Sequence, residues 1–239
     1  MIPGADVGLR MLEDVGIGVT FVTNNSTKTP SDITAKIERV VGVSVGPENV
    51  ITSAQAAAEM LTPDDWPVYV FGETGIKVAL TAAGVEVTED ATIAGTIISG
   101  LHRGLSYEAI GATAAAVSSG ARFIATNVDP TFPTATGFMP GAGAMVAAIA
   151  TVAGVQPEVA GKPNQPILSL IERRVGPSAW VIGDRIDTDM AMSEAVPGWT
   201  SILVLTGVTS GAEAEGAADH LVQDFLAAAE LVIAAEFGQ

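Results

Sequence analysis

Two carboxylates flank a turn at Gly183-Asp184-Arg185-Ile186-Asp187-Thr188-Asp189, directly after the apolar run Ala179-Trp180-Val181-Ile182. Such a run predicts a buried strand. Asp184 is then the first charged side chain beyond its carboxyl end, where open α/β sheets place their ligand crevice. Asp189 can curl back toward the same point. Two such acids can begin the oxygen shell of a small hard cation such as Mg²⁺, which completes it with water and substrate phosphate. The same residues also suit a strand-to-helix turn in which Asp187 or Thr188 caps the next helix, and their spacing alone does not separate the two readings. A second polar cluster, Thr23-Asn24-Asn25-Ser26-Thr27-Lys28, follows Val19-Thr20-Phe21-Val22. It offers a hydroxyl, two amides and backbone N–H groups of the kind a phosphate needs near a helix start, although an ordinary Asn-rich turn has the same composition. The third cluster is Gly161-Lys162-Pro163-Asn164, and Lys162 is one of only four lysines. Its ammonium could neutralise phosphoryl charge or a carboxylate, or simply stand in solvent.

Helical and strand signals alternate along the whole chain, which predicts an α/β fold with a parallel sheet covered on both faces. A first helix through Leu9, Leu12 and Val15 leads to the strand at Val19 to Val22. Thr29-Pro30-Ser31-Asp32 starts a helix that runs to Val41. Strand Val50 to Thr52, a helix capped by Ser53, and strand Val68 to Phe71 follow. Gly72 and Gly75 mark a hinge, so the reading divides the chain into a core at 1–72 and 158–239 and an inserted α/β unit at 73–157. Within the insert, strands at Val85 to Val87, Thr96 to Ser99 and Phe123 to Thr126 alternate with helices at Ile76 to Ala83, Ser106 to Ser119 and Ala142 to Ala153. Val159-Ala160-Gly161 returns the chain to the main sheet. The last part gives helix Pro166 to Arg174, strands at Ala179 to Ile182, Ser201 to Leu205 and His220 to Val222, and a helix from Phe225.

A chain of 239 residues with 48% hydrophobic and 16% charged residues can bury a substantial core. Eleven basic against 27 acidic residues give a net charge of -16, which repels nucleic acid and anionic membranes at long range, so neither is an expected partner. Zero cysteines exclude disulfides, thiolate zinc sites and a cysteine nucleophile, and two histidines cannot build a histidine-rich metal centre. No basic segment followed by an apolar stretch opens the chain, and this predicts a cytoplasmic protein.

The ordered segments Ile2-Pro3-Gly4-Ala5, Phe21 to Ser26, Ala125-Thr126-Asn127 with Asp129, Pro140-Gly141-Ala142-Gly143, Gly161-Lys162-Pro163 and Gly183 to Asp189 together resemble the haloacid dehalogenase superfamily, class IIA. That group includes nitrophenylphosphatase-like and phosphoglycolate phosphatase-like enzymes. The resemblance implies a Rossmann-like core with an inserted cap, and a Mg²⁺-dependent phosphatase acting on a small phosphorylated metabolite. It implies that Thr23 and Asn24, with Asn25 beside them, hold the phosphoryl group, and that Lys162 is the lysine of the family's third motif. Asp184 becomes a magnesium ligand. Asp189 becomes a second acid that supports the metal or Lys162. Asn127, Asp129 and the neighbouring His102 or Arg103 become candidate specificity residues, with His102 by default a surface residue and His220 structural or solvated. A homodimer formed through the cap is compatible with the resemblance.

One part of the family pattern is missing. Members open on a buried strand ending in Asp-x-Asp, whose first Asp attacks phosphorus and whose second acts as acid and base. Here the only Asp-x-Asp is Asp187-Thr188-Asp189, and Asp6 and Asp14 follow no apolar strand. An aspartyl-phosphate route needs an in-line carboxylate, so the expectation is a phosphatase whose first core strand lies outside this sequence, inactive or impaired as it stands. The rival expectation is a catalytically dead phosphate-ester-binding or regulatory protein. A receiver-type signalling domain also gathers Asp, Thr and Lys, but the long insert between Gly72 and Gly161 speaks against it.

Overall fold

The computed structural model describes residues 4–134, 136–209 and 211–238, so Ile2 and Pro3 of the family-like opening lie outside the described residues. The chain forms two compact units. The first comprises Met1–Phe21, Pro30–Val50 and Leu168–Gln239, and the second Val22–Thr29 and Ile51–Ile167.

In the first unit, helix α1 (Ala5–Asp14) starts after Gly4, whose φ of 74° is a left-handed conformation that glycine adopts without a Cβ penalty. Its apolar face, Leu9 and Leu12, is buried against the C-terminal end of the chain. Helix α2 (Pro30–Val41) begins on the proline that a first helical turn accepts, and the short strands β1 (Phe21–Thr23) and β2 (Val50–Thr52), which pair with each other, lie mostly in the second unit. The three-stranded parallel sheet has the order β10 (Ala179–Gly183), β11 (Trp199–Val204), β12 (His220–Val222). Leu12, Ile202, Val204, Ala228, Ala229 and Val232 form the core between this sheet, α1 and the last helix, Phe225–Phe237. Asp224 caps that helix by accepting the Ala227 N–H at 3.0 Å.

The second unit is built on a five-stranded parallel sheet in the order β4 (Val87–Thr88), β3 (Val68–Phe71), β5 (Thr96–Ser99), β6 (Arg122–Ala125), β9 (Glu158–Val159). Helices α5 (Tyr107–Ser118) and α6 (Ala142–Ala153) cover it through Ala114, Val117, Val146 and Ile149, packed on Phe71, Ile97, Phe123 and Ala125. The three central strands, β3, β5 and β6, are mostly apolar and mostly buried, as strands covered on both faces require. Arg122 ties the edge: its Nε and Nη2 donate to Glu158 at 2.7 and 2.9 Å, and its Nη1 to Asp65 at 3.2 Å and the Met60 carbonyl at 2.9 Å.

The division of the chain falls earlier than the reading at Gly72 placed it. All four residues of β3 are in register with Thr96 to Ser99, so this strand belongs to the insert's sheet and not to the core. At the far end β9 pairs with Ile124 and Ala125, so Val159 closes that same sheet before the chain returns. An apolar run followed by glycines looks the same whether it ends one unit or opens the next. Two smaller corrections concern caps and hairpins. Helix α3 (Ser53–Glu59) is capped by Thr52, not Ser53: Thr52 accepts the Gln55 N–H while Gln55 accepts the Thr52 N–H. Ser53 instead spends its hydroxyl elsewhere. The antiparallel hairpin β7 (Thr131–Thr134) with β8 (Gly137–Pro140) was not foreseen, because Pro133 and Pro140 interrupt any strand-like alternation.

Candidate functional site

The residues singled out by their chemistry fall into two clusters, one in each unit. In the second unit, the segment after β1 is folded tightly on itself. Asn25 donates its N–H to Thr23 Oγ1 at 3.1 Å, and its side-chain oxygen accepts the N–H and hydroxyl of Thr27 at 2.9 and 2.8 Å. This short-range turn chemistry fixes the backbone of residues 23 to 27 without a regular element. Asn24 is buried, 8% exposed, and its carboxamide joins three segments. The Nδ2 donates to both carboxylate oxygens of Asp129 and to the Lys162 carbonyl, each at 3.3 Å, while Oδ1 accepts the Lys162 N–H at 2.7 Å.

Buried polar groups support this junction from behind. The Asn24 carbonyl accepts the Ser53 hydroxyl at 2.7 Å and Asn127 Nδ2 at 2.8 Å. Asn127 also accepts the Asp129 N–H at 3.1 Å, so both ends of its carboxamide are engaged within this junction. Ser26 and Thr126 share a hydroxyl hydrogen bond of 2.9 Å. Lys162 Nζ donates to the Val22 carbonyl at 3.3 Å, which puts the ammonium at the end of β1 beside Thr23. Gly161 is a glycine for reasons of space: a Cβ there would lie 2.5 Å from both Asn24 Oδ1 and the Thr126 carbonyl. The structure therefore brings Asn24, Asn127, Asp129 and Lys162 together through short contacts, with Thr23 preceding Asn24 in the chain and bonded to Asn25. Ser53 was not among the residues expected here, and Ser26 and Thr126, although inside the segments singled out, had no role of their own there; their position past strand ends was the only signal.

His102 packs edge-on against Phe71, ring centroids 5.1 Å apart, and is half-buried rather than a surface residue. Arg103 grips Glu73 through Nη1 contacts of 2.8 Å to both carboxylate oxygens and lies 5.9 Å over the Phe132 ring. His220 packs against Trp180 in the first unit, in keeping with a structural role.

In the first unit, Asp184 leaves the end of β10 as expected. Its Oδ2 accepts the Val208 N–H at 2.7 Å, and its carbonyl accepts the Thr209 N–H at 3.1 Å. Asp189, 7% exposed, does curl back: its Oδ2 accepts the N–H groups of Asp184 and Arg185, both at 3.2 Å. Residues Ile186–Met190 form a π-helical turn that runs into Ala191–Ala195. Neither Asp187 nor Thr188 caps it; Arg185 stands at the cap position without a side-chain capping hydrogen bond, and Asp187 pairs with the Arg185 guanidinium at 2.6 Å. Gly183 and Gly207 have no room for a Cβ, because the carboxyl groups of Asp189 and Asp184 respectively occupy that space. The turn after β11 that holds Gly207 and Val208 thus helps to orient Asp184, and a glycine just past a buried strand was its only trace in the sequence.

Among the described residues no group of three or more His, Cys, Asp or Glu side chains could hold a metal ion. A pair of aspartates held by backbone N–H groups fits the protein share of a magnesium site, since Mg²⁺ retains water and takes phosphate oxygens. It does not fit zinc, which favours nitrogen and sulfur donors. No helix among the described residues is long and apolar enough to cross a membrane.

Comparison with known proteins agrees with this arrangement. Residues 1–86 match the haloacid dehalogenase-like hydrolase family and residues 159–228 the HAD-hydrolase-like family. The acid sugar phosphatase of Staphylococcus haemolyticus is 37% identical over 214 residues, 87% of this chain and 80% of the relative. The p-nitrophenyl phosphatase of Archaeoglobus fulgidus superposes with a TM-score of 0.87 at 30% identity, covering 96% of this chain and 92% of that one. The glycerol phosphate phosphatase of Mycobacterium tuberculosis, solved in complex with magnesium, gives 0.83 at 32% identity over 93% and 69%. With segments of both units matched in order and relatives aligned over most of their length, the chain belongs to the haloacid dehalogenase-like hydrolases, class IIA.

Proposed function

We propose that this chain handles phosphomonoesters of small metabolites of the sugar phosphate and polyol phosphate class, with Mg²⁺ as cofactor. The observation that carries the reading is the Lys162 ammonium held on the Val22 carbonyl at the end of β1, one residue before Thr23. An ammonium and a hydroxyl at one strand end, next to a turn rich in backbone N–H groups, suit the spread negative charge of a phosphoryl group. Asn24 and Asn25 shape that turn. The relatives' names, acid sugar phosphatase and glycerol phosphate phosphatase, support the substrate class. Asp184 is the proposed magnesium ligand, and Asp189 holds the turn on which it stands. A bound magnesium ion would supply Lewis-acid neutralisation of phosphoryl charge. The insert carrying the five-stranded sheet is the proposed cap.

A second reading, binding without turnover, is favoured by one feature of the sequence: its only Asp-x-Asp is the turn at Asp187 to Asp189. The test is to incubate the 239-residue chain with p-nitrophenyl phosphate and Mg²⁺, and to titrate it in parallel with inorganic phosphate. Mg²⁺-dependent hydrolysis lost in Asp184→Asn and Lys162→Met establishes the phosphatase reading for this chain. Phosphate binding without hydrolysis leaves the binding-only reading, and neither binding nor hydrolysis rejects both.

A further inference from the structure

The expectation that Asn24 holds the phosphoryl group leaves an observation unexplained: both ends of its carboxamide are already used. The Oδ1 end accepts the Lys162 N–H and the Nδ2 end donates to the Lys162 carbonyl, as a neighbouring strand would, and the same nitrogen reaches both oxygens of Asp129. Asp129 is itself set in place, since Asn127 takes its N–H while anchoring the Asn24 carbonyl. Three loops, after β1, β6 and β9, are thus joined through one buried amide. We propose that Asn24 and Asp129 are a pair of positioning residues: the carboxylate orients the amide, the amide fixes the Lys162 backbone, and the ammonium is thereby held beside Thr23. Neither side chain touches the phosphoryl group. The proposal rests on the phosphate role given above to Thr23 and Lys162.

A carboxylate is the acceptor that suits this task. Its two oxygens hold one N–H from either side, and a charged acceptor gives a stronger hydrogen bond than a neutral one. A carboxylate this close to an anion site would otherwise be a liability, because like charges repel. That opposition in sign makes the two roles separable. If Asp129 acts only as a nearby charge, removing it tightens phosphate binding; if it positions Lys162, removing it weakens binding.

The experiment compares the wild-type chain with Asp129→Ala and Asp129→Asn by two readouts: amide hydrogen exchange at Lys162 followed by NMR, and affinity for inorganic phosphate by titration calorimetry. The expected result for Asp129→Ala is Lys162 N–H exchange faster by about tenfold and phosphate binding weaker by about tenfold, with the melting temperature of the whole chain little changed. Asp129→Asn keeps an acceptor for the Asn24 amide and loses the charge, so it should restore both readouts to near the wild-type values. A role in fold stability alone would move the melting temperature and not single out Lys162. Unchanged exchange at Lys162 in Asp129→Ala, or tighter phosphate binding, overturns the proposal. If the wild-type chain binds no phosphate, the reading of Thr23 and Lys162 fails, and the exchange readout still decides whether the pair holds Lys162.

Discussion

Replacing Gly161 by alanine adds one methyl group at a place where the structure allows none. The added Cβ would lie 2.5 Å from Asn24 Oδ1 and 2.5 Å from the Thr126 carbonyl, distances that real Cβ atoms essentially never show. Thr126 cannot give way easily: it is fully buried, its N–H is bonded to the Ser99 carbonyl at 2.8 Å, and its hydroxyl to Ser26. Asn24 can move only by releasing the Lys162 N–H. Overpacking of this kind costs about 1–3 kcal/mol and a lost neutral hydrogen bond about 1 kcal/mol, so Gly161→Ala should destabilise by about 2–4 kcal/mol. Gly111 provides the control. It lies within α5, and a Cβ there meets nothing within 4 Å. The same change should stabilise by about 0.5–1 kcal/mol, because glycine is a poor helix former. Urea denaturation followed by circular dichroism measures both, and phosphate titration of Gly161→Ala should show weakened binding. A Gly161→Ala variant within about 0.5 kcal/mol of wild type would refute the steric argument, since that is the scale of an ordinary surface substitution.

Other outcomes follow from the same geometry. Asp184→Asn should abolish the calorimetric signal of Mg²⁺ binding, whereas Asp189→Asn, which disturbs only the turn, should weaken it by about 10–100-fold. Thr52→Ala removes a capping box and should cost about 1 kcal/mol in denaturant titration. The Glu158 and Asp65 carboxyls are held below their ordinary range, Glu158 chiefly by the Arg122 side chain and Asp65 chiefly by the Thr62 N–H. A carboxyl with a depressed folded-state value stabilises the fold fully above its unfolded value and loses that contribution as pH falls through the folded one. Melting temperature should therefore fall below about pH 4, and Arg122→Met should make that fall shallower. The effect is small, since Glu158 is 54% exposed and solvent screens the pair.

Much of the architecture was legible from residue order. The strands at Val50, Val68, Thr96 and His220 have the bounds expected of them, as does the helix from Ala142 to Ala153, because each is an apolar run closed by Gly, Pro or a capping residue. Membership of strands in sheets was not legible. Val68–Phe71 and Val159 carry no local mark of which sheet they join, since that choice is made by pairing over long sequence distances. The candidate residues were found by type and spacing, but their partners were not. The sequence shows Asn24 and Asp129 as polar residues 105 positions apart, and only the fold puts the amide against the carboxylate. The crowding at Gly161, Gly183 and Gly207 is likewise a property of what passes close by, not of the glycines themselves.

The central claim is that Thr23 and Lys162 hold a phosphoryl group. Isothermal titration of this chain with inorganic phosphate in the presence of Mg²⁺, alongside Lys162→Met and Thr23→Val, tests it most directly. The account predicts one phosphate per chain, lost in Lys162→Met and weakened in Thr23→Val. Undiminished binding in Lys162→Met, or no binding to the wild-type chain, would contradict it.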